Sequence, residues 1–292
     1  PEAVCTLQRQ VDGSSGDGLR SSDVYVGGKA TLVYDNKNTE TSPSIEGTYG
    51  CEMKGDVTLD IRSGAVLGIV GTEEPVETSV IRGDLHLIAG SSKYENTDRI
   101  LRLAGNWPIV GVGHSFATMP GAKGNYSING NITIDTYENV WGWDKNTDPT
   151  SYDLPEIYGA IRGDVGGNII VNVHGSHVQN IFGASDSTVK GTVTVNVTDA
   201  ELKNSLYDTD DDEGYVFGLW EKGIPSTASG PVTVNIDGGD IGLVMVTDQT
   251  TAPAGSSINV TGKPNIRMGI RGTQASQYST EFPVANIHAC EA

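Results

Sequence analysis

Residues 191–197 read Gly-Thr-Val-Thr-Val-Asn-Val, one glycine followed by apolar and polar residues in strict alternation. The pattern returns in residues 168–173, Asn-Ile-Ile-Val-Asn-Val, and in residues 231–236, Pro-Val-Thr-Val-Asn-Ile. A period of two residues is typical of a strand that buries one face and exposes the other. We therefore expect the valines and isoleucines to point into a core and the threonines and asparagines to point outward.

The alternating segment recurs along most of the chain. Besides the three copies above it occurs at residues 56–61 and 131–136, with weaker copies at 30–34, 84–87 and 256–260. Asn168 and Thr192 are 24 residues apart, as are Pro231 and Gly255, whereas other copies are separated by longer insertions. A constant unit with variable insertions is typical of a solenoid, in which each coil is stabilised by stacking on its neighbours.

A second apolar segment follows several of these strands. It occurs at residues 65–71, 177–183, 240–246 and 265–271, after a short turn. The turns include Ser63-Gly64, Gly175-Ser176 and Gly238-Gly239, and glycine there predicts a tight corner with positive φ. No long segment shows the 3.6-residue period of a helix, so the sequence indicates an all-β fold.

These features predict a single-stranded, right-handed parallel β-helix of about eight coils. Coils of 24 residues or more are too long for the left-handed type with about 18 residues per coil. We expect one domain, 1–292, with a polar N-terminal cap (1–50), the coils (51–272) and a C-terminal tail (273–292). Val57, Ile134, Val195 and Val234 should then share one inward column. An antiparallel β-sandwich remains the structural alternative.

Outward side chains of stacked coils should form ladders along the solenoid. One ladder is expected to hold Thr58, His86, Thr133, Ile170, Thr194 and Thr233. Its neighbour is expected to hold Asp60, Asp135, Asn172, Asn196, Asn235 and Asn259. His86 and Ile170 interrupt the threonine array, which argues against ice binding; β-propensity accounts for threonine at outward positions.

The runs at residues 191–197 and 230–239 resemble the adhesin-like β-helix repeats of large secreted or surface proteins of gut bacteria, over roughly residues 50 to 270. The fold is also similar to that of pectate-lyase-like β-helices, although the catalytic Asp/Arg arrangement of those enzymes has no match here. The resemblance implies a secreted or cell-surface module, part of a larger surface protein. It implies little about the ligand.

The charge balance narrows the range of partners. There are 37 acidic and 19 basic residues among 292, a net charge of −18. Such a surface repels nucleic-acid phosphates and anionic membranes, so neither is expected as a partner. No stretch approaches the ~20 apolar residues of a membrane span. The three cysteines lack metal-site spacing; Cys5 and Cys51 are the expected disulfide, with three free cysteines as the alternative.

Several aromatic residues cluster beside acids at residues 135–144. We predict a carbohydrate-binding platform from the rings of Tyr137, Trp141 and Trp143 beside Asp144, extended by Trp220. Trp141 and Trp143 are two residues apart and therefore face the same side of a strand. The alternative is that these rings fill the core or cover an insertion.

The insertion at residues 207–215 reads Tyr-Asp-Thr-Asp-Asp-Asp-Glu-Gly-Tyr. Asp208, Asp210 and Asp212 alternate as the first ligands of an EF-hand loop do. Glu213 stands where that loop needs glycine, so an EF-hand is excluded. A simpler calcium site and a solvated acidic loop both remain open.

No trustworthy catalytic motif is present. The histidines, including His174 and His177, lack metal-site spacing and are interpreted as structural. We therefore expect a non-catalytic module for adhesion to host or plant glycans. The alternatives are a polysaccharide-degrading β-helix enzyme, glycosidase or lyase, and a structural spacer within a larger surface protein.

Overall fold

The computed structural model describes most of the chain, with several gaps. The described residues are 3–7, 29–36, 44–49, 52–73, 78–95, 97–104, 108–113, 126–143, 154–203, 214–221, 223–248, 251–273 and 284–287. Within them the backbone is almost entirely strand and turn, apart from one 3₁₀ turn at Ser92–Tyr94. The all-β class predicted from the sequence is confirmed.

The strands are numbered in chain order. They are β1 (Ala3–Leu7), β2 (Ala30–Asp35), β3 (Ile45–Tyr49), β4 (Glu52–Met53), β5 (Val57–Val66), β6 (Ile69–Glu73), β7 (Ser79–Ile81), β8 (Leu85–Ala89), β9 (Leu101–Ala104), β10 (Ile109–Gly113), β11 (Tyr126–Ile128), β12 (Ile132–Thr136), β13 (Val140–Trp143), β14 (Ile157–Ile161), β15 (Asp164–Val165), β16 (Ile169–His174), β17 (His177–Val178), β18 (Ile181–Ser185), β19 (Thr188–Val189), β20 (Val193–Thr198), β21 (Glu201–Leu202), β22 (Tyr215–Trp220), β23 (Thr227–Ala228), β24 (Val232–Asp237), β25 (Asp240–Thr247), β26 (Ser257–Thr261), β27 (Asn265–Thr273) and β28 (Val284–Ile287).

The strands form three sheets. The first sheet has the order β1-β2-β5-β8-β12-β16-β20-β24-β26-β28, with β9 and β13 attached at its side. The second runs β3-β6-β10-β14-β18-β22-β25 with β21 and β17 beyond, and β27 on β25; the third runs β4-β7-β11-β15-β19-β23. Every strand pairing among the described residues is parallel, which excludes the antiparallel sandwich and is compatible with a parallel β-helix.

All eight alternating segments of the sequence lie in the first sheet, in chain order. The structure adds two strands that the pattern did not indicate, β1 and β28, at its ends. Residues 1–50, predicted as a polar cap, contribute three strands, and the predicted tail contributes one. The sequences of β1 and β28, Ala-Val-Cys-Thr-Leu and Val-Ala-Asn-Ile, lack the strict alternation that defines the recurring segment.

The inward columns of the first sheet are buried as expected, but one register differs. Ile134 pairs with Leu87, which pairs with Leu59, so Leu59 and not Val57 shares the column of Val195. Val57 lies one inward position earlier on its strand, in register with Leu85. Because both columns contain only apolar residues, the sequence pattern could not distinguish them.

The second sheet contains a column of glycines that the sheet geometry requires. The ladder pairings skip these residues, and a Cβ there would lie 2.1–2.6 Å from a carbonyl oxygen of the adjacent strand. In most of them it would also lie within 2.8 Å of a Leu, Ile or Val side chain of the first sheet. Only glycine permits this close approach of the two sheets. The column is Gly47, Gly71, Gly111, Gly159, Gly183 and Gly218.

The corners after the first-sheet strands have the predicted backbone. Gly64, Gly175 and Gly238 have φ of 112°, 63° and 77°. Asp199 occupies the equivalent corner with φ of 49°, which an aspartate tolerates better than most residues. At these corners the chain leaves a first-sheet strand and turns into the segment that follows it.

Candidate functional site

A buried asparagine fixes the turn that carries the predicted aromatic residues. Asn139 lies between Tyr137 and Trp141 and is 5% exposed. Its Nδ2 donates to the carbonyl oxygens of Arg62 (3.0 Å) and Arg99 (3.1 Å), on two other segments. Since a buried amide without partners would be costly, this arrangement holds the turn in one conformation.

Strand β13 presents Trp141 outward at the side of the first sheet. Val140 is fully buried, and Trp141, the next residue, is half-buried on the opposite face. Trp141 is in register with Arg102 of β9, which in turn is in register with Ala65 of β5. The indole and the guanidinium therefore belong to one outward column.

Two histidines stack on the two predicted aromatic residues. The ring of Trp141 lies 3.9 Å from that of His177, with planes tilted by 31°. The ring of Tyr137 lies 5.4 Å from that of His174, with planes tilted by 24°. These four rings form what we call the aromatic patch, which lies at one corner of the first sheet.

The sequence interpretation of His174 and His177 as structural missed their position in this patch. His174 ends β16 and His177 begins β17, on either side of a Gly-Ser corner. The Ser176 hydroxyl lies 2.9 Å from the carbonyl oxygen of Tyr137, which ties that corner to the aromatic turn. The signal was available: the ladder register places the corner after β16 next to the corner after β12.

Asp135 adds a carboxylate beside the patch. Burial tends to raise the pKa of Asp135, but hydrogen bonds from His86 and Asn172 and the charges of His86 and His174 outweigh it and lower the pKa. His86 Nε2 lies 2.6 Å from Oδ2, and Asn172 Nδ2 donates to Oδ1 at 2.8 Å. Asp135 is thus held in its ionised form.

The predicted asparagine ladder forms a continuous chain of hydrogen bonds that ends at Asp135. Each amide Nδ2 donates to the oxygen of the side chain on the preceding strand, at 2.7–2.8 Å. Because a carboxylate can only accept, Asp135 sets the orientation of every amide behind it. The chain is Asn259, Asn235, Asn196, Asn172 and Asp135, and it borders the aromatic patch along the first sheet.

A second carboxylate closes the patch on the side of His177. A hydrogen bond from Lys203 is the largest influence on the pKa of Glu201 and lowers it, although partial burial opposes this; His177 lowers it further. His177 Nδ1 lies 3.0 Å from Glu201 Oε2. Glu201 therefore fixes the imidazole that supports Trp141.

Tyr137 also lies within the field of several acids. Partial burial raises the pKa of Tyr137, and the charges of Asp135, Asp60 and Glu95 raise it further. The phenol therefore remains protonated and can donate a hydrogen bond over a wide pH range.

Of the remaining predicted site residues, the described Trp220 lies away from this patch. Trp220 is the last residue of β22 and stacks on Phe182 at 4.4 Å, on the outer face of the second sheet. Trp143 lies on β13, but its side chain, and Asp144 entirely, fall outside the described residues. The same holds for the calcium residues Asp208, Asp210 and Asp212 and for Cys51; of Cys5 only the backbone is described, in β1. The disulfide and calcium site therefore stay predictions.

Two further observations concern the described ranges alone. They contain no group of three or more His, Cys, Asp and Glu residues arranged to hold a metal ion. They also contain no helix of the length and hydropathy needed to cross a membrane.

Comparison of the whole chain with protein-family models, with curated proteins and with solved structures found no match.

Proposed function

We propose that this chain is a right-handed parallel β-helix of about eight coils and that it binds carbohydrate without catalysis. In this proposal it serves as an adhesion module of a larger secreted or cell-surface bacterial protein and contacts a host or plant glycan. The parallel order of the first sheet and its buried columns support the β-helix.

The aromatic patch is the observation that carries carbohydrate binding. Trp141 and Tyr137 are only half-buried, and each is supported from one side by a histidine ring. Exposed aromatic rings held rigidly are suited to stack against the apolar faces of sugar rings, since little entropy is lost on binding. Asp135 and the asparagine ladder supply acceptors and donors for sugar hydroxyls beside them.

The surrounding carboxylates favour binding over glycoside cleavage. Asp60 and Asp135 share an outward column with Ile88 between them, so parallel strands separate them by roughly 9–10 Å. A glycosidase needs one carboxyl with a raised pKa as proton donor. Asp60 accepts hydrogen bonds from Nε and Nη2 of Arg62, and the pKa of Asp135 is lowered, so neither is arranged for that role.

A glycan array with the purified chain tests this function. We expect binding to at least one glycan class, and Trp141→Ala should weaken it tenfold or more, about 1.4 kcal/mol. Trp141→Phe should retain part of the affinity because it keeps a ring. Trp220→Ala, which removes a tryptophan from the second sheet, is the matched control and should bind as the wild type does.

Two results would contradict carbohydrate binding. One is the absence of binding to every glycan on an array that includes host and plant structures. The other is unchanged affinity in Trp141→Ala, with circular dichroism showing that the variant is folded. The spacer alternative would gain from the first result.

A further inference from the structure

Many of the acidic side chains around the aromatic patch have internal partners. Several nearby carboxylates have a cationic or imidazole partner within the described residues, whereas Glu95 and Glu138 form no ion pair there. The pairs are Asp35 with Arg99, Asp60 with Arg62, Asp135 with His86, Glu201 with Lys203 and His177, and Asp240 with Arg267. Although the chain has a net charge of −18, these paired carboxylates already have internal partners and are not arranged to bind a cationic ligand.

Arg102 is a basic residue of this region that lacks an acidic partner among the described residues. It is half-buried on β9, and no acid among the described residues is in ion-pair contact with it. Its neighbours in register are Ala65 on one side and Trp141 on the other. An unpaired guanidinium beside an indole is an unusual feature of so acidic a surface.

Among the described residues, a ring covers only one face of the Trp141 indole. Strand β13 lies between β9 and β17, and His177 of β17 covers one face of the ring. The described residues place no ring or guanidinium over the opposite face. A sugar stacked there would lie next to the guanidinium.

We propose that the patch selects an acidic glycan, one whose sugar carries a carboxylate. Trp141 takes the sugar ring, and Arg102 takes the carboxylate. A guanidinium binds a carboxylate through two parallel N–H···O bonds, which fixes orientation as well as charge. This inference rests on the proposed carbohydrate binding and adds the class of sugar. A uronic acid and a sialic acid share this chemistry.

The overall acidity of the chain opposes acidic sugars at long range, so their binding depends on a local cation. Long-range repulsion disfavours loose association of any polyanion, so an acidic sugar gains affinity only where a local cation contacts its carboxylate. A neutral sugar leaves Arg102 without a partner in the partly desolvated site. The acidic sugar thus benefits from a contact that the neutral sugar lacks.

Binding of matched pairs of oligosaccharides tests the inference. The probes are an oligogalacturonate and a sialylated oligosaccharide, each beside its carboxyl methyl ester, titrated by calorimetry against the full chain. We expect the wild type to bind at least one acid tenfold or more tightly than its ester; which acid binds identifies the source. Arg102→Gln should lower the affinity for that acid at least tenfold more than it lowers the affinity for the ester. The affinity of Arg102→Lys for the acid should lie between those of the wild type and Arg102→Gln.

Lys190→Gln is the matched control. It removes one positive charge from an exposed residue on the third-sheet side of the molecule and should leave both affinities unchanged. Trp141→Ala should weaken both the acid and the ester, since both stack on the ring.

The failures of the inference and of the proposed function are distinguishable. If the ester binds as tightly as the acid, or if Arg102→Gln has no selective effect while Trp141→Ala still weakens binding, the acidic-sugar inference is wrong and carbohydrate binding stands. If neither acids, esters nor neutral glycans bind the wild type, both are wrong.

Discussion

The first and second sheets share one core but differ on their outer faces. Outward positions of the first sheet hold threonine and asparagine that are half-buried. Apart from the buried Glu46, which is in register with Val70, most outward positions of the second sheet are apolar, and eight of them are 0–7% exposed. These residues, which we call the outer cluster, are Val70, Val110, Tyr158, Ile161, Phe182, Phe217, Leu243 and Met245.

The difference bears on where the proposed ligand would bind. The first sheet leaves a regular polar face at the solvent, and the aromatic patch lies at its corner. The second sheet is packed on both faces, as parallel sheets commonly are. Aromatic residues therefore have opposite roles in the two sheets: Trp141 is half-exposed beside polar ladders, whereas Phe182 lies in a stack with Tyr158 at 4.8 Å.

The largest effect is expected from the glycine column that joins the two sheets. In Gly159→Val, the new Cβ would lie 2.2 Å from the Gly183 carbonyl oxygen and 2.5 Å from a methyl of Ile169. Overpacking usually costs ~1–3 kcal/mol, and a clash with backbone costs more because backbone cannot rotate away. We expect loss of cooperative folding, measured by circular dichroism during thermal unfolding.

Gly223→Val is the control for this substitution, because nothing lies within 4 Å of a Cβ at Gly223. It should unfold within a few degrees of the wild type. A Gly159→Val variant with a wild-type melting temperature would show that the two sheets are not held at the distance described.

The second prediction compares an outward apolar residue of the second sheet with one of the first sheet. Phe182→Ala on β18 should cost about 3–5 kcal/mol, because it removes a buried ring from the outer cluster. Ile170→Ala on β16 should change stability by no more than about 0.5 kcal/mol, because Ile170 is 37% exposed. Urea unfolding of both variants measures the difference. Equal costs would mean that the two outer faces are equivalent, contrary to the structure.

The smallest effect concerns the acceptor at the end of the asparagine ladder. The folded state lowers the pKa of Asp135, so its carboxylate stabilises the fold at neutral pH, and this stabilisation is lost as the pH falls below the ordinary value of 3.8. Asp135→Asn should therefore cost about 1–2 kcal/mol at pH 6, as for a hydrogen bond to a charged group. The difference from the wild type should shrink as the pH is lowered from about 4 to 2.5.

Asp237→Asn provides the comparison, since Asp237 is exposed on the same face of the first sheet. Its effect at pH 6 should stay within about 0.5 kcal/mol. A constant difference between Asp135→Asn and the wild type at all pH values would indicate that the carboxylate charge contributes nothing.

Much of the first sheet could be predicted from the sequence because one outward face is polar. The outward registers of Thr133 with Ile170 and of Asn172 with Asn196 are as expected. The second sheet could be recognised only as a recurring apolar segment. Its strands are buried on both faces, so no alternation shows which residues face inward.

The site was predicted in part for a similar reason. Tyr137 and Trp141 attract notice as aromatic residues beside acids. His174 and His177 lie 33 residues or more further along the chain, and only the stacking of strands brings them into contact with those rings.

The sequence by itself determined eight strands of the first sheet, their order, the polarity of their two faces and the glycines at their corners. Each of these depends on local alternation or on the backbone freedom of single residues. The tertiary structure alone decided the column in which Val57 lies, the burial of the second sheet's outer face and the partners of Trp141. These depend on which segments stack, and a change in insertion length moves residues between columns without altering the local pattern.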